Sequence, residues 1–111
     1  MSFALIAPTG TVLPLDSSIT SEQMRTWVGG WLESVTSRDG TLCCYVNDEA
    51  RLRGDVPRNM AASLLMGREL LGPVLVVGAY DTRAEADTDL TDEQWARVHA
   101  AAAEASAAAT A

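Results

Sequence analysis

Apolar and polar positions along this chain fall into short runs broken by turn residues, and the runs outline eight elements. Phe3 to Ala7 and Thr11 to Leu15 are apolar stretches flanking Pro8-Thr9-Gly10. Pro and Gly supply turn chemistry there, so the chain is predicted to open with a β-hairpin. Ile19-Thr20-Ser21-Glu22-Gln23-Met24 reads as a helix start, with Thr20 as N-cap, Gln23 reaching back in a capping box and Ile19 stapled to Met24. Met24, Trp27, Val28 and Trp31 recur at helical spacing, which assigns both Trp to the core, while Gly29-Gly30 stops the helix before Trp31.

Trp31 to Thr36 and Thr41 to Val46 read as two strands joined by a turn in which Asp39-Gly40 tolerates positive φ. A polar turn follows over residues 47–51, then a short extended piece from Leu52 to Val56. Asn59 is placed to cap a helix from Met60 to Leu65, extensible toward Leu71, and Gly72-Pro73 ends any helix. Val74 to Tyr80 is an apolar run without alternation, the pattern of a central strand buried on both faces. Thr91-Asp92-Glu93-Gln94 is a second capping box, with Leu90 and Trp95 at the staple positions. Trp95, Val98 and Ala102 share one face of the helix it starts, whereas Ala105 to Ala111 is expected to fray. The predicted fold is α+β: a small antiparallel or mixed sheet of about five short strands with two to three helices and a C-terminal Ala-rich helix.

Charge divides the 111 residues unevenly. The chain carries a formal charge of −7, and all eight of its basic residues are Arg. Residues 1–80 hold eight acids against six Arg, whereas residues 81–111 hold seven acids against two Arg together with twelve of the eighteen Ala. The expected organisation is a nearly neutral domain over 1–80, then an acidic connector and Ala-rich helix over 81–111. That balance argues against broad nucleic-acid binding, which needs a basic face to release counterions. No apolar run approaches the roughly 18 residues of a membrane span, and the first residues lack a basic leader, so a cytoplasmic protein of the host cell is expected.

Catalytic chemistry is not visible. Cys43 and Cys44 are neighbours whose side chains point to opposite faces of a strand, so they neither bridge nor share a metal, and at least one reads as a core residue. The lone histidine, His99, has no second ligand nearby and reads as a surface or packing residue. Neither a nucleophile–base pair nor a metal set is specified, and Glu33 with Asp48 or Glu49 is only an unspecified carboxylate pairing. No enzyme activity, metal or cofactor is expected.

Val28-Gly29-Gly30-Trp31-Leu32-Glu33, Val46-Asn47-Asp48-Glu49, Leu52, Pro57-Arg58-Asn59-x-Ala61 and Leu71-Gly72-Pro73-Val74-Leu75-Val76-Val77-Gly78 occur in this order. Over most of residues 3–80 this pattern resembles a small uncharacterised domain family common in bacteriophages, conjugative elements and their bacterial hosts. The chain departs from that pattern after Asn47, where Asp48-Glu49-Ala50-Arg51 lacks the family's usual Gly and Lys. The resemblance implies a mobile-element origin and assigns no activity.

Arg51, Arg53 and Arg58 lie within eight residues of each other and form a candidate anion patch, which also reads as ordinary solvated charge. Asn47 and Asn59 read first as turn and cap residues and second as groups converging on a ligand, with Trp31 or Tyr45 as a stacking surface. The expected function is a non-catalytic binding protein of a phage or mobile element that sequesters a small anionic, nucleotide-like ligand in counter-defence. The alternative is a host-protein inhibitor acting by protein contact through the acidic tail. A homo-oligomer is expected on either reading, since a body of about 80 residues builds only a small core.

Overall fold

The turn chemistry determines which strands meet. In the computed structural model, which describes residues 2–81, 83 and 86–110, β1 (Ser2–Ile6) and β2 (Val12–Asp16) form the first hairpin. β3 (Leu32–Thr36) and β4 (Leu42–Asn47) form the second, around Asp39-Gly40, with Gly40 at φ 77°. The wholly buried β5 (Val74–Gly78) inserts between the hairpins, giving an antiparallel sheet in the order β2-β1-β5-β4-β3. A two-stranded ribbon, β6 (Tyr80–Asp81) and β7 (Ala86–Asp87), follows it. Chain returning from the ribbon crosses Gly78 so closely that a Cβ there would collide with Thr88 Oγ1 and the Asp89 carbonyl.

Strand alternation sends side chains to two cores. On one face Ala4, Ile6, Leu42, Cys44, Val46, Val74 and Val76 pack under α3 (Met60–Met66) and α4 (Asp92–Thr110). On the other, Phe3, Leu5, Leu75 and Val77 pack under Met24 and Val28 of α1 (Ser21–Val28). Cys43 and Cys44 fall on opposite faces, as their adjacency in a strand requires.

Both expected capping boxes form. Thr20 Oγ1 accepts from Gln23 N–H at 3.1 Å while Gln23 Oε1 accepts from Thr20 N–H at 2.8 Å. Thr91 and Gln94 repeat the arrangement at 3.1 and 2.9 Å. Gly29 ends α1 in the left-handed region at φ 88°.

Three expectations are corrected. Residues Ala50–Arg53 form a short helix, α2, where an extended piece beginning at Leu52 was predicted. Leu52 and Arg53 N–H both donate to Glu49 O, so the turn after β4 winds on, with Ala50 buried beneath it. Trp27 and Trp31 are exposed, at 42% and 64%, rather than core. Only the i, i+4 pair Met24 and Val28 reaches the sheet, and the left-handed Gly29 takes Trp31 out of helical phase. The first residue of the stretch expected to fray is instead packed: Ala105 is buried beyond Val98 and Ala101, where α4 packs along α3, while residues 106–108 are exposed. Alanine has little side chain to bury, but its small size allows close approach to Ala61 and Ala62, which are at most 1% exposed. Ala111, the end of the stretch expected to fray, lies outside the described residues, as does Glu85 of the acidic connector.

Asn59, fully buried, ties these layers together. Its Oδ1 accepts from Ala62 N–H at 3.0 Å as the N-cap of α3, and its Nδ2 donates to Ile6 O at 2.8 Å and Gly72 O at 2.9 Å. Removing that amide strands three buried backbone groups. We predict that Asn59→Ala lowers the unfolding free energy by about 2–4 kcal/mol in urea titrations, well beyond the roughly 1 kcal/mol of an ordinary cap.

Candidate functional site

Arginine is the only basic side chain here, so the positions of the arginines define where an anion can be held. The structure divides the Arg51, Arg53, Arg58 group and adds two members from elsewhere. Arg58 follows Pro57, and its backbone bridges to Leu71, which sets it beside the loop leaving α3. Arg68 sits in that loop just after Gly67, whose φ of 70° ends α3. Arg38 comes from the β3–β4 turn, where its N–H donates to Met66 O at 2.9 Å and its side chain lies against Gly67.

These residues surround two adjoining depressions that share Arg68 and Glu69. One, of about 250 Å³, is lined by Arg38, Arg58, Arg68, Glu69 and the Ser63–Leu64 turn of α3, three basic residues against one acid. The other, of about 290 Å³, has Arg51, Arg68 and Asn47 opposite Glu33, Asp48 and Glu69, over a floor of Val35, Val46 and Leu70. Among the described residues, Arg38, Arg51, Arg58 and Arg68 make no ion pair. Arg68 Nε donates to Thr36 O at 2.9 Å and Arg51 Nη2 to Glu69 O at 3.4 Å, which orients both heads without neutralising them.

The other sequence candidates lie elsewhere. Arg53 points to solvent and pairs with Asp55 at 3.5 Å. Asn59 is committed to the fold by the three bonds of its amide and has no exposed surface. Asn47 is half committed: its Nδ2 donates to Gly29 O at 3.2 Å and its Oδ1 accepts from Glu49 N–H at 2.9 Å, while its edge lines the larger depression. Tyr45 faces the α1 side of the sheet, where its hydroxyl donates to Asp87 Oδ2 at 2.7 Å. Burial and that carboxylate push the Tyr45 hydroxyl far above its usual range. Trp31 lines neither depression and carries the Arg25 guanidinium 4.6 Å above its ring. Neither aromatic ring therefore lines the depressions that hold Arg38, Arg51, Arg58 and Arg68. His99 stacks on Trp95 at 5.6 Å.

Arg38 and Arg68 are 30 residues apart in sequence, and only the docking of the β3–β4 turn under the end of α3 unites them. The available signal was the use of Arg alone as base, with Arg38 in a turn and Arg68 directly after a helix-ending Gly. The turn is held by Asp39, whose Oδ1 accepts from Ser37 and Thr41 hydroxyls, both at 2.7 Å, and whose Oδ2 pairs with Arg97 of α4 at 3.1 Å. Among the described residues no group of three His, Cys, Asp or Glu is placed to hold a metal ion, and no helix is long and apolar enough to cross a membrane.

Two predictions follow from these environments. The Ser37 hydroxyl, then the Thr41 hydroxyl and N–H, hold the Asp39 carboxyl well below its ordinary value of 3.8. The unfolded chain then binds the proton more readily, so this stabilisation is present above the ordinary value and is lost as pH falls below it. Asp39→Asn is expected to flatten the fall in melting temperature across acid pH. Burial pushes the Cys44 thiol up to about 12 and the half-buried Cys43 thiol up as well. Alkylation at neutral pH, followed by mass spectrometry of the peptides, should therefore modify Cys43 before Cys44 and both more slowly than a free thiol.

A family model described as Domain of unknown function (DUF3846) matches residues 1–103 of the chain. No curated protein and no solved structure matches it.

Proposed function

The chain belongs to this family of domains of unknown function, and from that premise we propose that it is a non-catalytic binding domain of a phage or mobile element. On this reading it sequesters a small anionic, nucleotide-like ligand in the host cytoplasm as counter-defence. The observation that carries the reading is the smaller depression, where Arg38, Arg58 and Arg68 arrive from three separate segments and none has a carboxylate partner among the described residues.

Three arginines without a carboxylate partner line one concavity, and an anion bearing several oxygens can take forked hydrogen bonds from them. Arg68 is held by Thr36 O, and backbone bonds fix the Arg38 and Arg58 main chain, so binding has the Arg38 and Arg58 side chains left to order. The neighbouring depression gives the remainder of such a ligand an apolar floor and carboxylate acceptors at its rim. Its volume suits a small molecule rather than a polymer, and the body carries too few cations to track a phosphate backbone. Among the described residues, no feature of the acidic segment favours the inhibitor reading to the same degree. Asp87 is engaged by Tyr45, while Asp92 and Glu93 occupy the first turn of α4, where they favour its dipole.

Native mass spectrometry of the chain purified from infected cells, with calorimetry against nucleoside mono-, di- and cyclic phosphates, tests the proposal. Arg58→Ala and Arg38→Ala are each expected to weaken binding by about tenfold to a hundredfold, the worth of one charge-assisted contact. Arg53→Ala should leave it unchanged. Absence of any retained or titrated anion, or equal effects at Arg53 and Arg58, overturns the reading.

A further inference from the structure

The two edges of the sheet differ in what they offer a further strand. In antiparallel pairing alternate residues turn their N–H and C=O toward the partner, and those between turn outward. At β2, Ala7 N–H donates to Thr11 O, and the register through Leu5–Leu13 and Phe3–Leu15 then turns Val12, Pro14 and Asp16 outward. Pro14 has no N–H to give, which blunts the middle of that edge. At β3, Ser37 N–H donates to Leu42 O and Asp48 N–H to Trp31 O, and the register turns Leu32, Ser34 and Thr36 outward. All three keep their N–H groups.

Charge and an exposed aromatic flank the open edge. Arg68 Nε is bound to Thr36 O at one end of β3, and its terminal nitrogens make no bond among the described residues. Glu33, on the strand itself, lines the same depression as Arg68 and has no ion pair among the described residues. At the other end Trp31 is 64% exposed yet firmly held. Its carbonyl takes Asp48 N–H, Arg25 covers its ring, and a Cβ on the preceding Gly30 would lie 2.9 Å from the Asn47 amide. Fixing a large ring in solvent has no benefit to the isolated fold.

We propose that a second copy of this chain adds to β3, antiparallel and centred on Ser34, to form a two-fold dimer with one continuous sheet. In that register Leu32 faces Thr36 of the second copy, and each Ser34 exchanges both backbone bonds with the other. Glu33 then lies beside the end of the opposing strand at which Arg68 is tethered, so the two-fold creates two matched Glu33–Arg68 pairs and leaves Arg38 and Arg58 as the cations open to an anion. Trp31 comes to rest beside the Ser37-Arg38 turn of the second copy. Thr36 O holds Arg68 with one lone pair and keeps the other for the incoming N–H. The two-fold runs perpendicular to the sheet, so the depressions lined by Glu33, Val35 and Arg68 meet across it on one face, and each copy borders the other's site.

Sedimentation velocity on the full chain at tens of micromolar tests this. The wild type is expected at twice the 11.8 kDa chain mass. Glu33→Arg and Arg68→Glu, each placing like charges across the axis, should weaken self-association by at least about tenfold, and the double exchange should restore it. Ser34→Pro removes an outward N–H without taking a bond from the β3–β4 ladder and should give a folded monomer, and circular dichroism checks the folding. If that variant fails to fold, the charge exchange decides. A monomeric wild type, single charge variants that remain dimeric, a double exchange that stays monomeric, or a folded Ser34→Pro dimer each overturns the proposal.

Discussion

The side-chain amide of Asn59 is the contact on which the architecture turns. It is fully buried, and its three hydrogen bonds reach α3, β1 and the segment leading into β5. Around it the Asn59 N–H donates to Leu70 O, and Ser63 Oγ donates to Asn59 O while accepting from Leu70 N–H. A buried amide with every bond made specifies one arrangement, because any shift of α3 along the sheet leaves polar groups dry and unpaired. Arg58 precedes this residue, and Arg68 lies in the loop it fastens. The disposition of the arginines thus depends on a group that touches no ligand.

Local chemistry was legible in the sequence wherever a single residue type satisfies a backbone need. Thr20 and Gln23, Asp39-Gly40, Gly29 and Asn59 all act where spacing put them, because caps and turns are decided within a few residues. The unbroken run at Val74 likewise gave the central strand. What escaped depends on tertiary placement. Helical spacing alone could not reveal that α1 meets the sheet along so narrow a stripe that Trp27 is left outside. The Ala-rich segment offers no large anchor in sequence, yet small residues on both helices make the contact between α3 and α4.

The site was half legible for the same reason. Proximity in sequence grouped Arg51, Arg53 and Arg58, but the winding of α2 turns Arg53 to solvent beside Asp55, whereas Arg58 is carried to the end of α3. Asn47 and Asn59 look alike in sequence as polar residues beside turns. One lies at a rim and keeps a face toward a depression, while the other is sealed inside. The docking of the α3 N-terminus against β1 and the segment before β5 seals Asn59 in, whereas the packing of the second hairpin against the α3 C-terminus brings in Arg38.

Pro14 has a consequence for growth of the sheet. An antiparallel sheet with two receptive edges can propagate without limit, each added chain exposing a fresh edge identical to the one just covered. Here the edge opposite β3 presents a proline where a donor would be needed. Whatever strand is laid on β3, the far edge keeps a gap at its middle, and open-ended growth of the sheet from that side is disfavoured.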